Sequence, residues 1–122
     1  MATKSRKIGL VVRSGPYQGR SSRDQLDIAL AAATLGLELE LFFTGEGVLQ
    51  LLADRDAQAG NLPGGLRGWK SLPGLTLVKA WVADSALEAF VGPETRLILD
   101  VQRASESEIA LRLAGCDQAM VI

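Results

Sequence analysis

The side chains that carry out covalent chemistry are nearly absent from this chain. It has no histidine and a single cysteine, Cys116, in 122 residues. A Ser-His-Asp or Cys-His nucleophile, a histidine metal ligand and a CxxC redox pair are therefore excluded. Catalysis would have to rest on carboxylates, lysines or Cys116. Cys116 stands beside Asp117, whose negative charge does nothing to stabilise a thiolate. One stretch, Gly15-Pro16-Tyr17-Gln18-Gly19-Arg20-Ser21, approaches a phosphate loop. It is one residue short between the glycines and has Arg where GxxxxGK[ST] has Lys, so a turn into a capped helix is the better reading. Arg13, Arg20 and Arg23 still gather around that helix start. They are the candidate contact for an anionic group, which a helix N-terminus favours.

The rest of the composition narrows the function classes further. Lys and Arg number 13 against 14 Asp and Glu, a net charge of −1 with no basic run, which argues against direct nucleic-acid binding. No apolar run approaches the ~20 residues that span a bilayer. The apolar-leaning run Ile8 to Val12 is too short for a signal-peptide core. A lone cysteine cannot close an internal disulfide and fits a reducing, cytoplasmic setting. No cofactor or metal is expected. With 48% hydrophobic and 22% charged residues, the chain suits one globular domain over 1–122.

Alternating strand and helix patterns must position whatever site exists. Ile8 to Val12 reads as a strand buried on both faces. Ser22 with Gln25 has capping-box spacing, and Leu26, Ala29, Leu30 and Ala33 form one helical face. Gly36 falls where a helix C′ residue should. Leu37 to Phe43 is the second strand; Glu38 and Glu40 alternate with leucines, which places it near a sheet edge. Gly45 and Gly47 allow a tight turn into a short apolar helix, Val48 to Ala53. Gly60 to Gly74 is a long glycine-rich loop holding Trp69. Leu75 to Val82 is the third strand, and Asp84 or Ser85 caps a helix running to Phe90. Arg96 to Val101 is the fourth strand. Ser105 and Glu108 repeat the capping-box spacing ahead of Ile109, Ala110 and Leu113. Gly115 ends that helix, and Gln118 to Ile122 is a last strand. This order implies an α/β domain, a mostly parallel sheet of about five strands with helices on both faces. The short helix cannot bury Val48, Leu49 and Leu52 in its own domain, and Trp69 has no regular structure to shelter it. Gly45, Gly47, Val48, Leu49, Gln50, Leu52 and Trp69 are therefore expected at a subunit contact.

Several segments in this order carry a resemblance. They are Gly15-Pro16-Tyr17 after the first strand, Asp27 in an alanine- and leucine-rich helix, and Gly47-Val48-x-Gln50-Leu51. Ala80-Trp81-Val82 in the third strand and Asp117 before a final apolar strand complete the set. Together they resemble the TusC/DsrF family, the C-type subunits of bacterial sulfur-relay complexes. The resemblance implies a flavodoxin-like DsrE/DsrF fold and a heterohexamer with B-type and D-type partners (TusB/DsrH-like and TusD/DsrE-like). It implies that the D-type subunit passes persulfide sulfur to a TusE/DsrC-like acceptor. The destination would be 2-thiouridine at the tRNA wobble position or, for a DsrF-type subunit, dissimilatory sulfur oxidation. In catalytic relatives the sulfur-accepting cysteine lies where the third strand runs into its helix. Here that place is Val82-Ala83-Asp84-Ser85, with Ala83 at the expected position, and Asp84 to Ala89 looks most like the DsrF side. The resemblance thus implies a partner subunit that does not itself handle sulfur. Cys116, between a helix and the final strand, belongs at the amino end of the sheet, whereas ligands of open parallel sheets sit at the carboxyl end. A stand-alone, homo-oligomeric small-ligand binding domain is the reading from a different class.

Overall fold

The structure, a computed structural model, describes residues 6–13, 21–51, 69, 72–91, 97 and 99–122. Strand β1 (Lys7–Val12) leads to helix α1 (Ser21–Thr34), then β2 (Glu38–Phe43) and a 3₁₀ segment (Gly45–Leu51). A second 3₁₀ turn (Leu72–Gly74) precedes β3 (Val78–Ala83) and α2 (Asp84–Phe90). The chain continues through β4 (Gln102–Ala104), α3 (Glu106–Ala114) and β5 (Gln118–Val121). All pairings are parallel, in the order β4-β3-β2-β1-β5.

That order dictates which face each connection covers. From β1 to β4 the chain steps one way across the sheet, so right-handed crossovers keep α1, the 3₁₀ segment and α2 on one face. The return from β4 to β5 at the far edge sends α3 over the other face. Leu10, Val12, Leu39, Leu41, Phe43 and Val82 are buried under the first layer. On the second, Phe42 is fully buried and Trp81 partly so.

Local signals end the helices as the residues require. Gly36 takes φ +81 after α1, its N–H donates to Ala33 C=O and Leu37 N–H donates to Ala32 C=O, the paired bonds of a Schellman ending. At α3 the Ser105 hydroxyl accepts from Glu108 N–H while the Glu108 carboxylate accepts from Ser105 N–H, closing the expected capping box. Ala83 occupies the N-cap of α2 without a side-chain cap, in place of Asp84 or Ser85.

Three expectations need correction. β2 is the central strand, not an edge, because Glu40 is 1% exposed and neutralised from the α3 face. The fourth strand is Gln102–Ala104 rather than Arg96 to Val101: Leu99 is buried, but the continuous ladder to β3 forms only at Trp81–Gln102, Val82–Arg103 and Ala83–Ala104. The segment after β2 is a 3₁₀ turn over Gly45–Leu51, tightened by the close approach of Gly47 to β1, and Leu52 and Ala53 lie outside the described residues.

Candidate functional site

The carboxyl ends of β1 to β4 converge on Arg13, Thr44, Asp84 and Ser105, the end where ligands of such sheets bind. Ala83 closes β3 there, 1% exposed, its methyl packed into the core. The polar groups around it are tied to one another. Arg103 Nε lies 2.9 Å from Asp84 Oδ1, and the Ser85 hydroxyl donates to Glu106 at 3.3 Å. Among the described residues this corner holds no cysteine. Arg13 is exposed at the end of β1; Arg20 and the Arg23 side chain lie outside the described residues.

Beside this corner the 3₁₀ segment is built around a buried polar relay. Gln25 Nε2 donates to Ile122 C=O at 2.6 Å, and Gln50 Nε2 donates to Gln25 Oε1 at 2.6 Å. Trp69 Nε1 donates to Gln50 Oε1 at 3.0 Å. The Trp69 ring meets Phe43 edge-on, centroids 5.3 Å apart, a favoured aromatic geometry. The relay links α1, the 3₁₀ segment, the segment holding Trp69 and the residue after β5. Gly47 is what lets the 3₁₀ segment sit so close to β1: a Cβ there would lie 1.9 Å from Val12 O.

These positions change the expected contact surface. Trp69 is 0% exposed and Val48 equally enclosed, while Gly47 and Gln50 are buried too. Their side chains fill the chain's own core, because the indole N–H has an internal acceptor and the ring an aromatic neighbour. They cannot also cover a partner. Only Gly45, exposed, and Leu49, half-buried, remain at the surface; Leu52 lies outside the described residues.

The opposite end holds a charged cluster that the sequence pattern hid. Glu40 accepts from Arg112 Nε at 2.5 Å and from Trp81 Nε1 at 3.0 Å, with Lys7 Nζ 3.5 Å away. The Arg112 guanidinium also lies over the Trp81 ring, 4.7 Å from its centroid, a cation–π contact. A shallow recess of about 330 Å³ opens beside Glu40, with Lys7, Glu38, Val78 and Lys79 in its walls. Two lysines face two glutamates across it, so it favours neither charge sign. The available sequence signal was the parity of β2. Glu38, Glu40 and Phe42 share one face, and a phenylalanine at the end of a polar stripe marks a face that is covered.

Cys116 belongs to this end, half-buried where α3 meets β5. Its thiol lies 3.4 Å from Arg112 C=O, and Gly9 makes room for it, since a Cβ there would stand 3.0 Å from Sγ. Burial pushes the thiol pKa up from its ordinary 9.0, and Glu40 adds to this, against the opposing charges of Lys7 and Arg112. A thiol so placed stays protonated and is a poor nucleophile.

The sequence profile of the DsrE/DsrF-like family matches residues 6–122, and the chain belongs to the family. Within it, the chain is 32% identical over 115 residues to the Protein TusC homolog of Aliivibrio fischeri, covering 94% of this chain and 98% of that one. It is 30% identical to Protein TusC of Klebsiella pneumoniae strain 342 and 26% identical to Protein TusC of Escherichia coli O127:H6. Each alignment covers 92% of this chain and 95% of the relative. The crystal structure of the ychN protein from E. coli shares the fold, with a TM-score of 0.75 at 20% identity over 96% of this chain and 99% of that one. Among the described residues no helix is long and apolar enough to cross a membrane.

Proposed function

We propose that this chain is a non-catalytic subunit of a cytoplasmic sulfur-relay heterohexamer. It would assemble with B-type (TusB/DsrH-like) and D-type (TusD/DsrE-like) subunits and support persulfide transfer to a TusE/DsrC-like acceptor. The end product would be 2-thiouridine at the tRNA wobble position, as the TusC/DsrF resemblance implies. The observation that carries this reading is Ala83, enclosed at the β3–α2 junction, the place to which the resemblance assigns the cysteine of catalytic relatives. A methyl group cannot carry a persulfide, and Cys116 is at the other end of the sheet with its pKa raised. The chain's contribution is then its surface. Arg13, with Arg20 and Arg23, offers positive charge to an acidic segment of a partner, and Gly45 and Leu49 remain as contact residues on the 3₁₀ segment. Incubating the co-expressed complex with a labelled persulfide donor, followed by peptide mass spectrometry, tests the reading. Label should appear on a partner's cysteine and never on Cys116, and Cys116→Ser should leave transfer intact. Stable persulfide on Cys116, with transfer lost in the serine variant, would refute it.

A further inference from the structure

α3 covers the second face of the sheet, yet little of the helix is buried there. Of its nine residues only Ile109 is enclosed. Leu113 is partly buried, and Leu111 is 74% exposed. On the first face α1 encloses Leu26, Ala29 and Ala33 together with Gln25. Apolar hold scales with the area removed from water, so burial holds α3 far less firmly than α1. The other contacts of α3 sit toward its two ends. At the carboxyl end of the sheet the Ser85 hydroxyl of α2 donates to Glu106 at 3.3 Å. Arg103, in the strand that feeds α3, lies 2.9 Å from Asp84. These ties pass round the end of the sheet, from the helix on one face to the helix on the other. Six residues after Glu106, ~9 Å along the helix at 1.5 Å per residue, Arg112 donates to Glu40 and lies over the Trp81 ring. An enclosed ion pair adds little net hold, because both charges regain hydration when it parts.

We propose that α3 is a strap with two states, docked and lifted, and that it lifts as one unit without unfolding the rest of the domain. Segments with few buried apolar contacts are the ones that open locally. The helix has no interior weak point: a capping box closes its first turn, and Glu106 to Ala114 contains no glycine or proline. The ties at its two ends therefore bias a single equilibrium. Loss of the ties at the Asp84–Ser85 corner loosens Arg112 from Glu40, and a weaker Arg112 clamp loosens the helix at that corner. A partner that engages Asp84 or Ser85 would act on the opposite end of the sheet through this one two-state element, which both ends share. Lifting uncovers Phe42 and Trp81 and returns Glu40 to water.

The strap stands independently of the sulfur-relay reading, and the full chain alone tests it by native-state amide hydrogen exchange read residue by residue by NMR. In the wild type, the amides of Ile109 to Ala114 should share one protection factor, at least about tenfold below that of Leu39 to Phe43. Asp84→Asn combined with Ser85→Ala removes both corner ties and leaves α3 itself unaltered. Each exposed tie shifts an opening equilibrium about 1.4- to 5-fold, so the shared protection factor should fall about 2- to 25-fold. The fall should be the same at Leu113 and Ala114, far from the altered corner, as at Ile109. Arg112→Lys keeps the charge but gives up the planar contact with Trp81, and it should lower protection at Ile109 and Ala110 as much as at Leu113. The double variant alters side chains at the surface and carries the test should Arg112→Lys fold poorly. Wild-type protection in α3 equal to that of β2, a change confined to the turn nearest the substitution, or an α3 unmoved by the double variant would overturn the proposal.

Discussion

Replacing Gln50 with leucine tests whether the buried relay holds the 3₁₀ segment in place. Leucine approximates the side-chain volume but offers no polar atom. Gln25 Oε1 would lose its donor and Trp69 Nε1 its acceptor. Each buried polar group stripped of its partner costs about 1–3 kcal/mol, so the substitution should cost ~2–6 kcal/mol. A domain of this length has roughly 6–18 kcal/mol of stability in total, so the variant should still fold but with a much reduced margin. At a urea m-value of ~2 kcal/mol/M, the midpoint should fall by about 1–3 M. Urea titration followed by tryptophan fluorescence and far-UV circular dichroism reads both numbers. Trp69→Phe deletes only the indole N–H while keeping a ring against Phe43, and should cost ~1–3 kcal/mol. Because both variants remove the same Trp69–Gln50 bond, the double variant should cost less than their sum. A loss below ~1 kcal/mol for Gln50→Leu, or strict additivity in the double variant, would show that the relay is not a coupled network.

Two further outcomes follow from the same geometry. Gly47→Ala should leave little soluble folded protein, a loss of ~4 kcal/mol or more, since its Cβ would meet main-chain Val12 O at 1.9 Å and no rotamer can relieve that. Gly45→Ala, with φ +52 but only Arg13 O within contact at 3.9 Å, should cost about 1–2 kcal/mol; equal losses for the two glycines in urea titrations would refute the close-approach argument. For Cys116, folding raises the thiol pKa, so the folded chain holds that proton more tightly than the unfolded chain. The resulting stability is fully present below the unfolded thiol's ordinary 9.0 and is lost as pH rises through the folded value. Alkylation by iodoacetamide should accordingly set in at higher pH in the native protein than in urea, and an earlier onset in the native state would contradict the placement beside Glu40.

Periodicity made most of the fold legible. The strand-helix alternation, the Gly36 ending of α1 and the Ser105–Glu108 box are all local, and local chemistry decided them. The fourth strand was misplaced because Leu97, Leu99 and Val101 carry the apolar pattern of a strand while the ladder forms directly after them, at Gln102–Ala104. Burial and pairing are separate requirements, and a sequence pattern reports only the first.

The two larger misreadings share one cause. Glu40 on β2 read as a solvated edge, and Trp69 in a glycine-rich loop read as an exposed anchor. Each is a side chain whose environment depends on polar partners distant in sequence. Arg112 lies 72 residues from Glu40, and Gln50 lies 19 from Trp69. A glutamate may occupy the central strand of a parallel sheet only when cations reach it, and an indole may be wholly enclosed only when its N–H is satisfied. The parity of β2 marks a covered face, but no residue near Glu40 or Trp69 in sequence names the cation or acceptor that permits its burial. The same reasoning separates the two ends of this sheet. At the amino end the buried charge of Glu40 is compensated within the chain by Arg112 and Lys7. At the carboxyl end Ala83 is enclosed in the core, and Asp84 with Arg103 and Ser85 with Glu106 are tied to one another. Main-chain groups not paired within the sheet lie along its two edge strands, β4 and β5.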